Sequence, residues 1–259
     1  MEETVTLICE DSNEGIMTGI YEAYARKLNH DTTYLQIGEE DNYRLFTGYQ
    51  KIPMDQVKAN KVMHTISERF GMETLQLMIQ ALAAREPDRG NAVYQSVVFG
   101  LKGHFKGNLI DCIYEDSIAK VVQLSTTTWY ELHHLYGFLR FEELDNGMLF
   151  AVIHPKNKLL PFMGDHFANR FPRENFAIFD ETFDLCLVHA AGKPFVVVEG
   201  ELVRRDALPG ISSQEKAIQE LFTHFCHRIS IVERENAKLQ QQNLPLRFRG
   251  DMTEFKMAE

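Results

Sequence analysis

At 259 residues, with 44% hydrophobic and 25% charged residues, the chain is long enough for one large domain or two small ones and has an ordinary globular composition. Its formal net charge of −10 disfavours indiscriminate binding to a polyanion, which needs a basic surface, but leaves room for a local basic site. No apolar run approaches the roughly 20 residues that span a bilayer. The acidic opening MEETVTLICEDSNEG lacks the positive n-region of a signal peptide, so the expectation is a cytoplasmic protein with no membrane partner.

In chain order, Val5–Cys9 reads as a buried strand. Asp11 and Glu14 have the spacing of a capping box, and a helix follows to about Lys27. Thr33–Ile37 is a short strand and Glu39–Pro53 is irregular. From 55 to 136 the pattern is helical. Ala59, Val62, Met63, Ile66 and Phe70 recur at helical spacing before Gly71, and further helices run over Glu73–Ala84, Arg89–Leu101 and Ser117–Leu135. The last carries a stripe of Ile118, Val122, Ser125, Trp129, Leu132 and Tyr136. Gly100–Asn108 is the best candidate for a hinge.

Near Gly137 the periodicity changes from helical to alternating. Phe138–Leu144 and Met148–His154 flank Asp145-Asn146-Gly147, which predicts a hairpin. A two-residue loop of Asn146 and Gly147 sets Leu144 opposite Leu149, Glu142 opposite Ala151 and Arg140 opposite Ile153. The face with Leu139, Phe141, Phe150 and Val152 is the cleaner apolar one and is assigned to the core. A helix from about Leu160 to Phe171 follows. Phe176–Phe179, Leu185–His189 and Phe195–Glu199 are strands. Ser212 and Glu215 open a long helix whose apolar face is Ile218, Leu221, Phe222, Phe225, Ile229 and Val232. The whole predicts an α+β protein, with a helical N-terminal half and a mostly antiparallel sheet with packed helices in the C-terminal half. It reads as a single domain over 1–259, with sub-regions 1–136 and 137–259.

Familiar catalytic signatures are absent: no phosphate-binding P-loop, no H-E-x-x-H, no G-x-S-x-G and no G-x-G-x-x-G. Cys9, Cys112, Cys186 and Cys226 are widely separated, which favours buried free thiols over a zinc or iron–sulfur site. No metal site or cofactor is assigned. What remains are constellations. Arg140 and Glu142 share one strand face, either as a phosphate- or carboxylate-binding fork or as a structural ion pair. His154, Lys156 and Asn157 lie where the hairpin gives way to a loop. His166 and Arg170 are four residues apart on the next helix, so they share a face. These residues with Arg247 are the candidate nucleic-acid-binding set; a cap-and-loop network is the plainer reading. Glu131, His133 and His134 end the preceding helix, where histidine is favourable through the macrodipole alone. His224 and His227 on the last helix read as surface. Arg204-Arg205 and Arg247-Phe248-Arg249 are small basic clusters.

Several segments together resemble a bacterial DNA-metabolism protein family of unknown molecular function. They are Glu14-Gly15-Ile16 with Tyr21-Glu22-Ala23-Tyr24, then His133 with Gly137-Phe138-Leu139-Arg140-Phe141, Pro155 and Asn157, and His166-Phe167-Ala168-Asn169-Arg170-Phe171-Pro172. Ile231–Asn236, Leu239–Gln242 and Leu244–Phe248 complete the match, which covers nearly the whole chain. The resemblance implies a gene neighbourhood with a radical-SAM protein thought to act in DNA modification or repair. In some relatives it implies fusion to a uracil-DNA-glycosylase-like domain, of which this chain has no segment. The expectation is therefore a DNA repair- or metabolism-linked protein, an accessory or nucleic-acid-binding partner of a radical-SAM enzyme, with DNA as the candidate nucleic acid. The alternatives are a hydrolase or transferase acting on a nucleotide or base through His133, His166, Arg140 and Glu142, or a protein-interaction scaffold.

Overall fold

In a computed structural model, which describes residues 4–38, 45–103, 105, 107–203, 208–231 and 234–256, the chain divides into two compact units, Met1–Tyr130 and Glu131–Glu259. The first contains β1 (Thr4–Cys9), α1 (Asn13–Ala25), β2 (Thr33–Ile37), β3 (Thr47–Ile52), α2 (Gln56–Phe70), α3 (Met72–Leu82) and α4 (Arg89–Lys102). Helix α5 (Asp116–Phe138) begins in this unit and ends in the second. The second unit continues with β4 (Glu142–Glu143), β5 (Leu149–Ile153), α6 (Leu160–Arg170), β6 (Phe176–Asp180), β7 (Leu185–His189), β8 (Val196–Glu199) and α7 (Ser213–Ile229). Three short helices follow: α8 (Ala237–Asn243), α9 (Leu246–Arg249) and α10 (Thr253–Lys256). The architecture is α+β, as the pattern predicts.

The first unit is built on a three-stranded parallel sheet in the order β2-β1-β3. The central strand buries Leu7, Ile8 and Cys9 in succession, as a strand covered on both faces must. Helix α1 starts where Ser12 Oγ accepts from Gly15 N at 2.9 Å, so Ser12 is the cap, while Asp11 is ion-paired to Arg89. Asp55 caps α2 by accepting from Val57 N and Lys58 N at 3.0 and 3.1 Å. Strand β3 falls in the stretch read as irregular. Its edge position leaves Gln50 and Lys51 in solvent and only Ile52 buried, so no apolar alternation announces it. In α5 the buried line runs through Ile118, Val121, Leu124, Ser125 and Thr128. Trp129, placed on the expected stripe, is exposed.

The second unit holds a five-stranded sheet in the order β4-β5-β6-β7-β8. Neighbours are antiparallel except β5 and β6, which run parallel because α6 carries the chain back between them. The hairpin differs from its expected form in two ways. Helix α5 continues to Phe138, so Arg140 lies in the link to β4 and not in a strand. The loop also has three residues: Leu144 N donates to Met148 O at 2.9 Å, and Glu142 stands opposite Phe150 instead of Ala151. Gly147, at φ 78°, supplies the left-handed residue this longer turn requires, and Asn146 Oδ1 accepts from Met148 N.

Phe150 packs with Leu144, Ala177, Phe179 and Cys186, as the assignment of that face to the core expects. The opposite face, with Ala151, Ile153, Phe176 and Ile178, is equally buried, and α6 packs against β7 and β8. Gly164 permits that approach, since a Cβ there would run into the Phe195 ring. The strand face on which Arg140 and Glu142 were expected to stand is therefore core. Helix α7 opens with Ser212 Oγ accepting from Glu215 N at 3.1 Å, the expected cap. Its apolar face, expected in the core, is exposed. Val232, Arg204 and Arg205 lie outside the described residues, as does the side chain of His227. No helix among the described residues is long and apolar enough to cross a membrane.

Candidate functional site

Among the polar residues singled out in the sequence, two groups form within the second unit. The first surrounds Glu131, on the last turns of α5 and only 3% exposed. Its carboxylate accepts from Lys156 N at 2.9 Å, from Asn157 Nδ2 at 2.5 Å and from Arg247 Nη1 at 2.9 Å. A buried charge is tolerated when its oxygens are saturated in this way. His154, at the end of β5, bonds Glu181 Oε2 through Nε2 at 2.5 Å and Asp251 through Nδ1 at 2.9 Å. Asp180 is fully buried. Its Oδ1 accepts from Thr182 N and Phe183 N at 3.0 and 3.1 Å, while Oδ2 has no partner among the described residues. Burial pushes this carboxyl up to about 6, against the opposing pull of those two backbone bonds.

Arg140 presents its fork to Glu254, Nη2 to Oε1 at 2.8 Å and Nε to Oε2 at 3.3 Å, and its Nη1 donates to the carbonyls of Gly137 and Leu139. One short C-terminal segment thus supplies three ion-pair partners: Arg247 to Glu131, Asp251 to His154 and Glu254 to Arg140. Phe248 and Met252 anchor it, both nearly fully buried, and Phe248 meets the rings of His134 and Phe138. Of the residues expected to contact phosphate, Arg140, His154 and Arg247 already face carboxylates of the same chain.

Burial works against the charged ring of His154, but its bonds to Asp251 and Glu181 outweigh it and hold the imidazole above its ordinary pKa. A histidine raised on folding contributes fully below its unfolded value, about 6.5, and the contribution fades as pH rises through the folded value. His154→Ala is therefore expected to destabilise most just below the ordinary histidine range and least in alkaline solution. Urea unfolding of both proteins across this range checks it; a difference that widens with pH contradicts it.

The second group lies on α6. His166 stacks on Tyr136 with ring centroids 4.0 Å apart and planes 17° from parallel. Tyr136 is fixed by its hydroxyl donating to Phe162 O at 2.9 Å. Burial, helped by Arg170 and His133, holds His166 below its ordinary pKa, so at neutral pH it is an uncharged ring. Arg170 and Lys156 are exposed and carry no ion pair among the described residues; Arg170 lies 5.7 Å over the Phe171 ring.

Two of the segments that carried the resemblance, Gly137–Phe141 and His166–Pro172, meet in this unit. Phe141 packs edge-on against Phe167, Phe171 and Phe176, at 5.4, 5.5 and 5.6 Å. Asp180, Glu181, Asp251 and Glu254 were not singled out in the sequence. Glu181, Asp251 and Glu254 are separated from their partners by 27, 97 and 114 residues, and no local spacing marks them. Glu131 was set beside His133 and His134, whereas its partners are Asn157 and Arg247. Among the described residues no group of three or more His, Cys, Asp and Glu side chains is arranged to hold a metal. Cys9, Cys112 and Cys186 are buried free thiols, and burial pushes Cys9 up to about 12 and Cys186 to about 11.

Fold and site together define a two-unit α+β protein whose second unit carries a buried, carboxylate-centred polar network. The chain belongs to the family described as a domain of unknown function, DUF4130, whose model matches residues 87–254. No curated protein matches the chain. Among solved structures, it is similar to the DHH domain of a member of the s1p family of ribosomal proteins, at 11% identity and a TM-score of 0.31. That likeness covers 73% of this chain and 74% of the other.

Proposed function

We propose that the chain is a DNA metabolism-linked accessory protein, working beside a radical-SAM enzyme, and that α6 forms its nucleic-acid-facing surface. The observation that carries this reading is the stacking of Tyr136 on His166, on the same helix as the exposed Arg170, which carries no ion pair among the described residues. Flat rings next to a guanidinium suit single-stranded nucleic acid, where base stacking and phosphate contact act together. An acidic protein that binds a polyanion must concentrate its positive charge, and Lys156 and Arg170 are exposed cations with no ion pair among the described residues. The resemblance to DNA-metabolism proteins supplies DNA as the polyanion. Arg140, His154 and Arg247 enter this reading as supports, since each already faces a carboxylate.

Arg170→Ala is expected to weaken binding of a labelled single-stranded oligonucleotide by roughly 1–3 kcal/mol, the scale of a hydrogen bond to a charged group. The thermal transition should not move, and wild-type affinity should fall steeply with salt. Fluorescence anisotropy, with and without a radical-SAM protein of the kind the resemblance implies, is the measurement. Wild-type protein with no salt-dependent binding in either condition removes the reading and leaves the scaffold in front.

A further inference from the structure

The structure leaves five large apolar side chains of α7 in solvent: Ile218 51%, Leu221 70%, Phe222 38%, Phe225 55% and Ile229 59% exposed. The helix rests on its own unit by another side, where Glu215, Gln219, Thr223 and Cys226 are partly buried and Gln219 donates to Glu215 at 2.9 Å. A contiguous stripe of this kind marks an interaction surface. The order of its residues says what kind. Ile218, Phe222, Phe225 and Ile229 are separated by four, three and four positions, so the pattern reads the same in both directions about a point between Thr223 and His224.

From this symmetry we infer that α7 pairs antiparallel with α7 of a second copy of the chain, across a two-fold axis passing near Thr223 and His224. An isologous contact requires a self-complementary patch, and this stripe is one: Ile218 of each copy meets Ile229 of the other, and Phe222 meets Phe225. Antiparallel packing also opposes the two macrodipoles, whereas parallel packing aligns them. Five half-exposed side chains at on the order of 100 Å² each give ~500 Å² per copy and ~1,000 Å² per pair, the lower bound of a specific interface. The inference is independent of the nucleic-acid reading, because no α6 residue takes part in it.

Sedimentation of the full chain over a concentration series tests it. Wild type should pass from monomer to dimer as concentration rises. Phe222→Glu and Phe225→Glu should remain monomeric at every concentration, with an unchanged far-ultraviolet circular dichroism spectrum. Direction is read by oxidative crosslinking in a Cys226→Ser background. The double variant Ile218→Cys/Ile229→Cys should form covalent dimers, and each single variant should not. Monomeric wild type throughout would overturn the inference, as would dimers that persist in the glutamate variants. Crosslinking of the single variants would replace the antiparallel pair with a parallel one and overturn it equally.

Discussion

Replacing Glu131 with alanine is expected to cost about 3–5 kcal/mol of stability, the usual loss when one partner of a buried ion pair is removed. The reason lies in what stays behind. Asn157 Nδ2 and the backbone N–H of Lys156 both donate to this carboxylate, and Arg247 is ion-paired to it. Asn157 is itself buried, so its amide has no ready access to water. Glu131→Gln keeps one acceptor and should lose less. Denaturant unfolding of the three proteins, followed by a probe in the second unit, measures the series. A loss for Glu131→Ala below about 0.5 kcal/mol, the scale of surface substitutions, would mean that the network is solvated.

Phe176→Ala is the second large effect, at about 3–5 kcal/mol, as expected for truncating a fully buried phenylalanine. Phe176 opens β6 with no exposed surface. It stacks on His189 at 4.6 Å and 20°, and receives the edges of Phe141 and Phe171. Those two rings come from different connections, one leading into β4 and one leaving α6. Emptying the position between them opens a cavity bordered by both, which the surrounding sheet can close only in part. The same unfolding experiment applies. A stability within about 0.5 kcal/mol of wild type would place Phe176 at the surface.

The sequence pattern was informative wherever burial was one-sided or complete. Strands β1 and β2, the strands from β5 to β7 and the helices from α1 to α6 lie close to where periodicity puts them, because their apolar residues recur at the spacing of the buried face. β3 was illegible, since an edge strand with Gly48, Gln50 and Lys51 carries almost no apolar signal. The turn at Gly147 was recognised, but not its length. Asn-Gly serves two-residue and three-residue loops alike, and the difference shifts every pair by one position. Helix α7 shows the limit of amphipathic reasoning: a stripe reveals that a helix seeks apolar cover, without saying whether its own chain provides it.

The candidate site was legible by residue type and not by partnership. Arg140, His154, Asn157, His166, Arg170 and Arg247 stood out as polar residues on a rigid frame. Their partners decide what each can do, and Glu254, Asp251 and Glu181 are 114, 97 and 27 residues away from theirs. Charge complementarity across such separations leaves no spacing to read. The Tyr136–His166 stack was hidden for the same reason, since it joins two helices separated by the hairpin.

The three ion pairs made by residues 247–254 also set an order of events during synthesis. The sheet can assemble once β8 has emerged, because its strand pairings need only residues 142–199. Until the later segment follows, Glu131 lacks its arginine, Arg140 its carboxylate and His154 one of its two acidic neighbours. Closing contacts of such sequence separation is slow, because the chain-ordering cost precedes the energetic return. The nascent second unit therefore passes through an interval with its sheet formed, the niche for Phe248 vacant and the buried Glu131 without its arginine. In that interval the polypeptide is most open to a chaperone, a protease or a neighbouring chain.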